Sequence, residues 1–368
     1  MINQRTSILG IACAPLSFFR SVKRLGWQLL VSCLLAIAFT PAQSAEVTLK
    51  LHHFLPKQSA SHERFIMQWK KAVEEESNGH IEVEVHPGME LGGKASDLID
   101  QVEKGTVDIV WTLPAYTPDR FPAMSAFELP FMVTNARNAS PAVQEYYETN
   151  QAAQNEFKSL HPLIFWVHDR GVIHTRNTRV KNLDDLKGLK IRAPSRRVAD
   201  ALKSYGADPV MMPLPQMPKA LKTSQLDGTV IPWEVVPALH VHELAPNATE
   251  FPGERGLYTS VLTLVMNKEK YESLSDELKK VIDHNSGMVW SKRLGELAVN
   301  LETPGRKLSK EQGNSIINMA QDEVDKFRTA SYSVHAAWAT EMIKKGLNGR
   351  GLLYSAYGLL NKYSTTAQ

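Results

Sequence analysis

Between Leu189 and Ile231 the chain changes period repeatedly, and those changes restrict the folds open to it. Leu189, Ile191 and Ala193 alternate with Lys190 and Arg192, the period of two of a β-strand, and Pro194 closes the run. Ser195 is placed to cap a helix whose apolar side is Val198, Ala201, Leu202 and Tyr205, at i, i+3, i+4 and i+7. Gly206 stands where a helix end favours positive φ, and Pro209 to Met212 reads as a second strand. A further helix leads into Leu226-Asp227-Gly228 and another β-branched run. This is a βαβ unit, so the chain is expected to be α/β. Ligands in open α/β sheets bind at the carboxyl ends of the strands, and Arg192 lies at such an end.

The first 45 residues contain Arg5, Arg20, Lys23 and Arg24 and no acid, then an apolar run from Leu29 to Phe39, then PAQSA. That is the pattern of a secretory signal peptide, cleaved after Ser44 or Ala45. The apolar run falls well short of the roughly 20 residues that span a bilayer, so the mature protein is not expected to be membrane-inserted. Leu30-Val31-Ser32-Cys33 resembles a lipoprotein box, but the apolar run continues past Cys33, where such a box ends it. Both cysteines, Cys13 and Cys33, fall in the leader, which excludes disulfides and thiol chemistry from the mature chain. The formal charge of +3 is also a leader property: without its four cations, 38 basic residues face 39 acidic ones, a net of −1. Nothing there favours nucleic acid.

The remaining 323 residues suffice for two α/β lobes. Val47 to Phe54 reads as the first strand, Ser61 to Ser77 as a helix, Ile81 to His86 as the next strand, and Lys94 to Lys104 as a helix. KGTVDIVW at 104–111 and SQLDGTVI at 224–231 both set a helix end, an aspartate and a β-branched strand in succession, a weak repeat that implies two similarly built lobes. Leu163 to Val167 and Val172 to Thr175 read as strands leading into the second lobe, and Tyr258 to Met266 as a strand returning to the first. Ser275 to Glu302 reads as one long helix, and the tail after it as helical.

No G-x-S-x-G elbow, H-E-x-x-H, phosphate-binding G-x-x-x-x-G-K or dinucleotide fingerprint is present, so no enzyme activity and no cofactor are expected. His52 and His53, adjacent on a strand, point to opposite faces and cannot share an ion. His240 and His242 beside Glu243 share a face but show no evident third ligand, so no metal is expected.

The succession DLKGLKIRAP, YGADPVMMP and LDG, with ELGG at 90–93, FELPFM at 127–132 and the tail from Trp338 to Tyr363, resembles the solute receptors of tripartite ATP-independent periplasmic (TRAP) transporters. The resemblance implies a two-lobed periplasmic binding protein fold, type II-like, with a long helix bracing both lobes. It implies lobe I over 46–167 plus about 256–274, lobe II over 168–255 plus part of the C-terminal helices, and bracing and C-terminal helices over 275–368. It also implies that Arg192 pairs with the carboxylate of an organic acid. Where many members have a glutamate opening the helix before L-D-G, this chain has Gln216. Where binders of sugar acids have an E-N pair after D-G, it has Val230-Ile231-Pro232-Trp233. Where some members carry a second arginine it has Val172, the nearest arginine being Arg170.

Apolar and aromatic residues thus stand in for polar partners. The candidate ligand-binding set is Arg192, Arg170, Phe54, Trp111, Tyr116, Ile231 and Trp233. The expected function is a periplasmic receptor that closes hinge-like over an aromatic or apolar monocarboxylate and delivers it to TRAP membrane subunits. The alternatives are a 2-oxo or 2-hydroxy acid or C4-dicarboxylate as ligand, a sensor as partner, and, in another class, a secreted hydrolase.

Overall fold

A computed structural model describes residues 45–117 and 119–365 of the chain. The leader, both cysteines and the cleavage position fall outside the described residues. Eleven described strands form two mixed sheets. In chain order they are β1 (Val47–His53), β2 (Ile81–His86), β3 (Ile109–Thr112), β4 (Leu160–Val167), β5 (Val172–Thr175), β6 (Lys190–Ala193), β7 (Asp208–Met211), β8 (Gly228–Ile231), β9 (Asn247–Glu250), β10 (Val261–Asn267) and β11 (Ser315–Asn318).

The first sheet runs β2-β1-β3-β10-β4 and the second β11-β9-β5-β8-β6-β7. Each is built on the same plan. A central strand pairs in parallel with two others, β1 with β2 and β3, β6 with β7 and β8. The third strand then takes an antiparallel neighbour from a distant part of the chain, β10 on β3 and β5 on β8. The weak repeat in the sequence therefore corresponds to a repeat in topology. Ser195 caps the helix Arg196–Ser204 by accepting the Val198 N–H at 3.3 Å, and Gly206 has φ +89°. Pro209 is tolerated because β7 is an edge strand, where the missing N–H leaves no partner unbonded.

The chain crosses between sheets at 168–171, after β4, and again at 251–260, before β10. The two crossings touch. Gly171 donates its N–H to the Tyr258 carbonyl at 2.9 Å, and Thr259 Oγ1 donates to the His168 carbonyl at 2.6 Å. A Cβ on Gly171 would fall 1.9 Å from the Tyr258 ring, so glycine is required for the crossings to lie this close.

The expected helix from Ser275 to Glu302 is two helices, Asp276–His284 and α1 (Gly287–Glu311), because Gly287 takes φ +67° at the break. The second reaches nine residues further than expected and braces both lobes. Near its start Ser291 Oγ donates to the Phe165 carbonyl of β4 at 2.6 Å. Near its end Arg306 holds Glu250 of β9 through Nε at 2.7 Å and an Nη at 3.1 Å. Gly305 lets it approach the second lobe, since a Cβ there would lie 2.0 Å from the Trp233 carbonyl oxygen. The tail is not wholly helical: Ser315–Asn318 pairs in parallel with β9, a four-residue strand too short for its period to register.

Candidate functional site

A cavity lies where the carboxyl ends of strands from both sheets converge. Phe54 and Leu55 follow β1, Trp111 and Leu113 come from the end of β3, Arg192 and Pro194 from the end of β6, and Ile231 and Pro232 from the end of β8. The parallel pairing sets these residues side by side, His53 opposite Trp111 and Arg192 opposite Thr229. Phe54, Phe65, Trp111 and Trp166 make a continuous aromatic wall, with ring centroids 5.5 Å apart for Phe54–Trp111 and Phe65–Trp111 and 4.9 Å for Phe65–Trp166. To this lining α1 adds Leu294, Leu297 and Leu301.

Arg192 is 2% exposed. Its Nε donates to the Met212 carbonyl at 2.9 Å and one Nη to the Val230 carbonyl at 3.4 Å. Arg196 and Arg197 nearby are ion-paired to Asp119 and Glu341, whereas Arg192 takes part in no ion pair among the described residues. A buried guanidinium without a counter-ion carries a desolvation cost of several kcal/mol that an anion in the cavity offsets. A side-chain hydrogen bond also joins Arg192 to Tyr116, and the N–H groups left over are those that can meet an anion.

Tyr116, Tyr258, His168 and Ser260 surround this charge. The Tyr116 hydroxyl accepts the Leu214 N–H at 3.1 Å, which leaves its own proton to donate. Burial raises both phenols above their usual range while the Arg192 charge pulls them back, so each stays a protonated donor. Ser260 donates its N–H to His168 Nε2 at 3.0 Å, so the ring proton sits on Nδ1 and goes to the Asp169 carbonyl. Burial lowers His168 to about 4, which keeps it neutral. Ser260 Oγ and Trp111 Nε1 are buried on this wall with no partner.

A second polar place on the wall is made by Ser61 and Glu234, from the first and second sheets' lobes respectively, with Ser61 Oγ donating to Glu234 Oε1. Glu234 is half-buried and lines the cavity. Burial pushes its carboxyl up to about 7.

Of the seven residues picked from sequence, Arg192, Phe54, Trp111, Tyr116 and Ile231 meet at this cavity. Arg170 and Trp233 do not line it. The Arg170 guanidinium is consumed by three backbone carbonyls, Thr134 through Nε, Gly253 at 2.9 Å and Glu254 at 3.0 Å, because the second crossing runs past it. Trp233 turns away, its Nε1 donating to Glu250 at 2.9 Å and its ring set edge-on to His174, since Pro232 reverses the inward alternation of β8. Gln216 is exposed and Val172 is not on the cavity.

Sequence reasoning missed Ser61, Trp166, His168, Glu234, Tyr258 and Ser260. The i, i+3, i+7 spacing of Leu294, Leu297 and Leu301 in α1 was a signal in the sequence for one apolar stripe of the lining. Away from the cavity, His240, His242 and Glu243 bring three possible ligand atoms within 4.8 Å of one another.

The profile of bacterial extracellular solute-binding protein, family 7, matches residues 51–341 of the chain. A curated relative from Comamonas testosteroni, called outer membrane transporter protein TsaT, is 26% identical over 339 residues, 91% of this chain and 98% of that protein. A TRAP solute-binding protein from a marine metagenome, described as specific for aromatic acid ligands and solved with 3-hydroxybenzoate, is 43% identical with a TM-score of 0.85, over 87% of this chain and 99% of that one. Another, from Rhodoferax ferrireducens T118 and solved with copurified benzoate, is 42% identical with a TM-score of 0.86, over 88% of this chain and 100% of that one.

Proposed function

The chain belongs to the bacterial extracellular solute-binding proteins of family 7, and on that premise we propose that it captures an aromatic monocarboxylate in this cavity, with Arg192 paired to the carboxylate. The observation that carries the reading is a buried, unpaired guanidinium at one place in a cavity otherwise walled by aromatic rings and leucines. The fork of Arg192 offers a carboxylate parallel N–H donors, and the hydroxyls of Tyr116, Tyr258 and Ser260 stand near to satisfy its remaining lone pairs. A phenyl ring packed between Trp111 and the α1 leucines loses on the order of 150 Å² to water, worth about 4 kcal/mol. That the neighbours at 43% and 42% identity hold 3-hydroxybenzoate and benzoate supports the same choice.

Binding, not conversion, is the role. The loaded receptor docks on the membrane subunits of a TRAP-type transporter, from the periplasm, after removal of the leader. Among the described residues no helix is long and apolar enough to cross a membrane. Titration calorimetry with benzoate, succinate and malate is the test: benzoate binds at least tenfold tighter, because a second carboxylate on the aromatic wall would be buried without a partner. Tighter binding of succinate or malate than of benzoate overturns the reading.

A further inference from the structure

We propose that Glu234 and Ser61 form a second ligand subsite that reads a hydroxyl group on the aromatic ring, so that the preferred ligand is a hydroxybenzoate-type acid and not the unsubstituted one. This deepens the reading above and rests on it. Glu234 enters the cavity wall directly after Pro232 turns the chain off β8, and two backbone N–H groups fix it there: Trp233 N–H and Glu234 N–H donate to the two oxygens of Glu302 at 3.0 and 3.1 Å. Its own carboxyl is left mostly unused. Ser61 Oγ bonds Oε1, and no protein group bonds Oε2. Oε2 thus remains on the cavity lining as an acceptor that no protein group occupies, open to a donor carried by the ligand.

The place is distinct from the arginine end. The Arg192 charge acts on Tyr116, Tyr258 and His168, but burial alone acts on Glu234. Both places and the aromatic wall line the same cavity, and in the proposed pose a ring whose carboxylate meets Arg192 turns its far edge toward Ser61 and Glu234. Three ligand chemistries could meet a glutamate there. A second carboxylate would face Glu234 acid to acid and lose. An aliphatic or bare ring edge would leave Oε2 unbonded. A phenolic hydroxyl donates to Oε2 when the carboxyl is ionised, and donates or accepts when it is protonated, so it satisfies the group in either state. Discrimination of this kind is asymmetric, because a site built to bond a hydroxyl penalises the analogue that lacks it.

The experiment compares Kd values for benzoate, 3-hydroxybenzoate and 4-hydroxybenzoate by calorimetry at pH 7, in the parent and in Glu234→Leu, Glu234→Gln and Ser61→Ala. In the parent one of the hydroxybenzoates binds about tenfold tighter than benzoate. Glu234→Leu brings that ratio to about 1, and Glu234→Gln, which keeps a hydrogen-bonding group of the same shape, restores most of it. Should Glu234→Leu fail to fold, Ser61→Ala serves in its place, with the ratio reduced severalfold. A parent that binds benzoate as tightly as both hydroxybenzoates sinks the subsite alone, as does a preference that survives Glu234→Leu, or survives Ser61→Ala where the leucine variant is lost. A parent that binds none of the three sinks the aromatic-acid reading and the subsite with it.

Discussion

Asp108 and Asp227 occupy equivalent corners of the two sheets and make the same pair of backbone bonds. The Asp108 N–H donates to the Lys50 carbonyl at 3.0 Å while its carboxylate accepts the Lys50 N–H at 2.8 Å. Asp227 does the same with Lys190, at 2.8 and 2.9 Å. Each aspartate thereby sets the register of the strand that follows it, β3 on β1 and β8 on β6. Those two registers place Trp111 next to Phe54 and Ile231 next to Arg192 at the cavity.

Because the two corners belong to separate sheets with no shared partner, their contributions to stability are independent. Asp108→Ala and Asp227→Ala are each expected to lower the unfolding free energy by about 1 kcal/mol, the modest value fitting bonds made near the surface. The double variant should lose the sum within about 0.5 kcal/mol. Urea denaturation of the three variants measures this, and a double variant far from the sum would mean that the lobes communicate through these corners.

The buried ionisable groups give ligand-free stability a definite pH dependence. Burial raises Glu234 from its ordinary 4.5 to about 7, so between those values the folded protein keeps a proton that the unfolded chain has released. Its contribution therefore declines as pH rises from about 4.5 through 7. Glu128 and Glu156, raised to about 7 and about 8, act with the same sign. His168 and His174, lowered to about 4 and about 3, act oppositely, costing stability as pH falls below 6.5. From pH 6.5 to 8 these histidines no longer change and the carboxyls remain, so the melting temperature should fall across that interval. Glu234→Gln stays neutral throughout. Its melting temperature relative to the parent should rise from pH 5 to about 7.5 and then level off; a difference independent of pH would mean that Glu234 does not titrate in this range.

Much of this architecture was legible because it is local. The period of two ending at Arg192 and the apolar stripe from Val198 to Tyr205 each lie within a few consecutive residues, and each is where its pattern puts it. The positions of Arg192 and of the aromatic residues at the ends of β1 and β3 followed from strand direction. The rest depends on chain segments far apart in sequence. Tyr258 and Ser260 reach the cavity through the second crossing, and Ser61 meets Glu234 across 173 positions. Trp233 and Arg170 misled because a residue near a strand end can turn to either side, and no neighbouring residue announces the Glu250 carboxylate or the Gly253 and Glu254 carbonyls that claim them.

The same unpaired state that marks Arg192 sets what its replacement should do. The backbone bonds to Met212 and Val230 hold its planar guanidinium in place on the cavity lining. Arg192→Lys keeps the charge but loses the fork and one of the anchoring bonds, so benzoate affinity should fall at least tenfold. Arg192→Ala leaves the ligand carboxylate buried without a cation, a loss of roughly 2 to 5 kcal/mol, or from tens to thousands of fold. Stability without ligand should move the other way or barely at all, since the alanine variant no longer buries an uncompensated charge, which offsets the loss of packing. Calorimetric titration paired with thermal melts of the ligand-free proteins reads both effects. A variant Arg192→Ala that binds benzoate like the parent would make the arginine a structural donor to two carbonyls and move the carboxylate site elsewhere in the cavity. A variant that loses several kcal/mol of stability would show that those two carbonyl bonds, not a waiting ligand, are why the cation is buried.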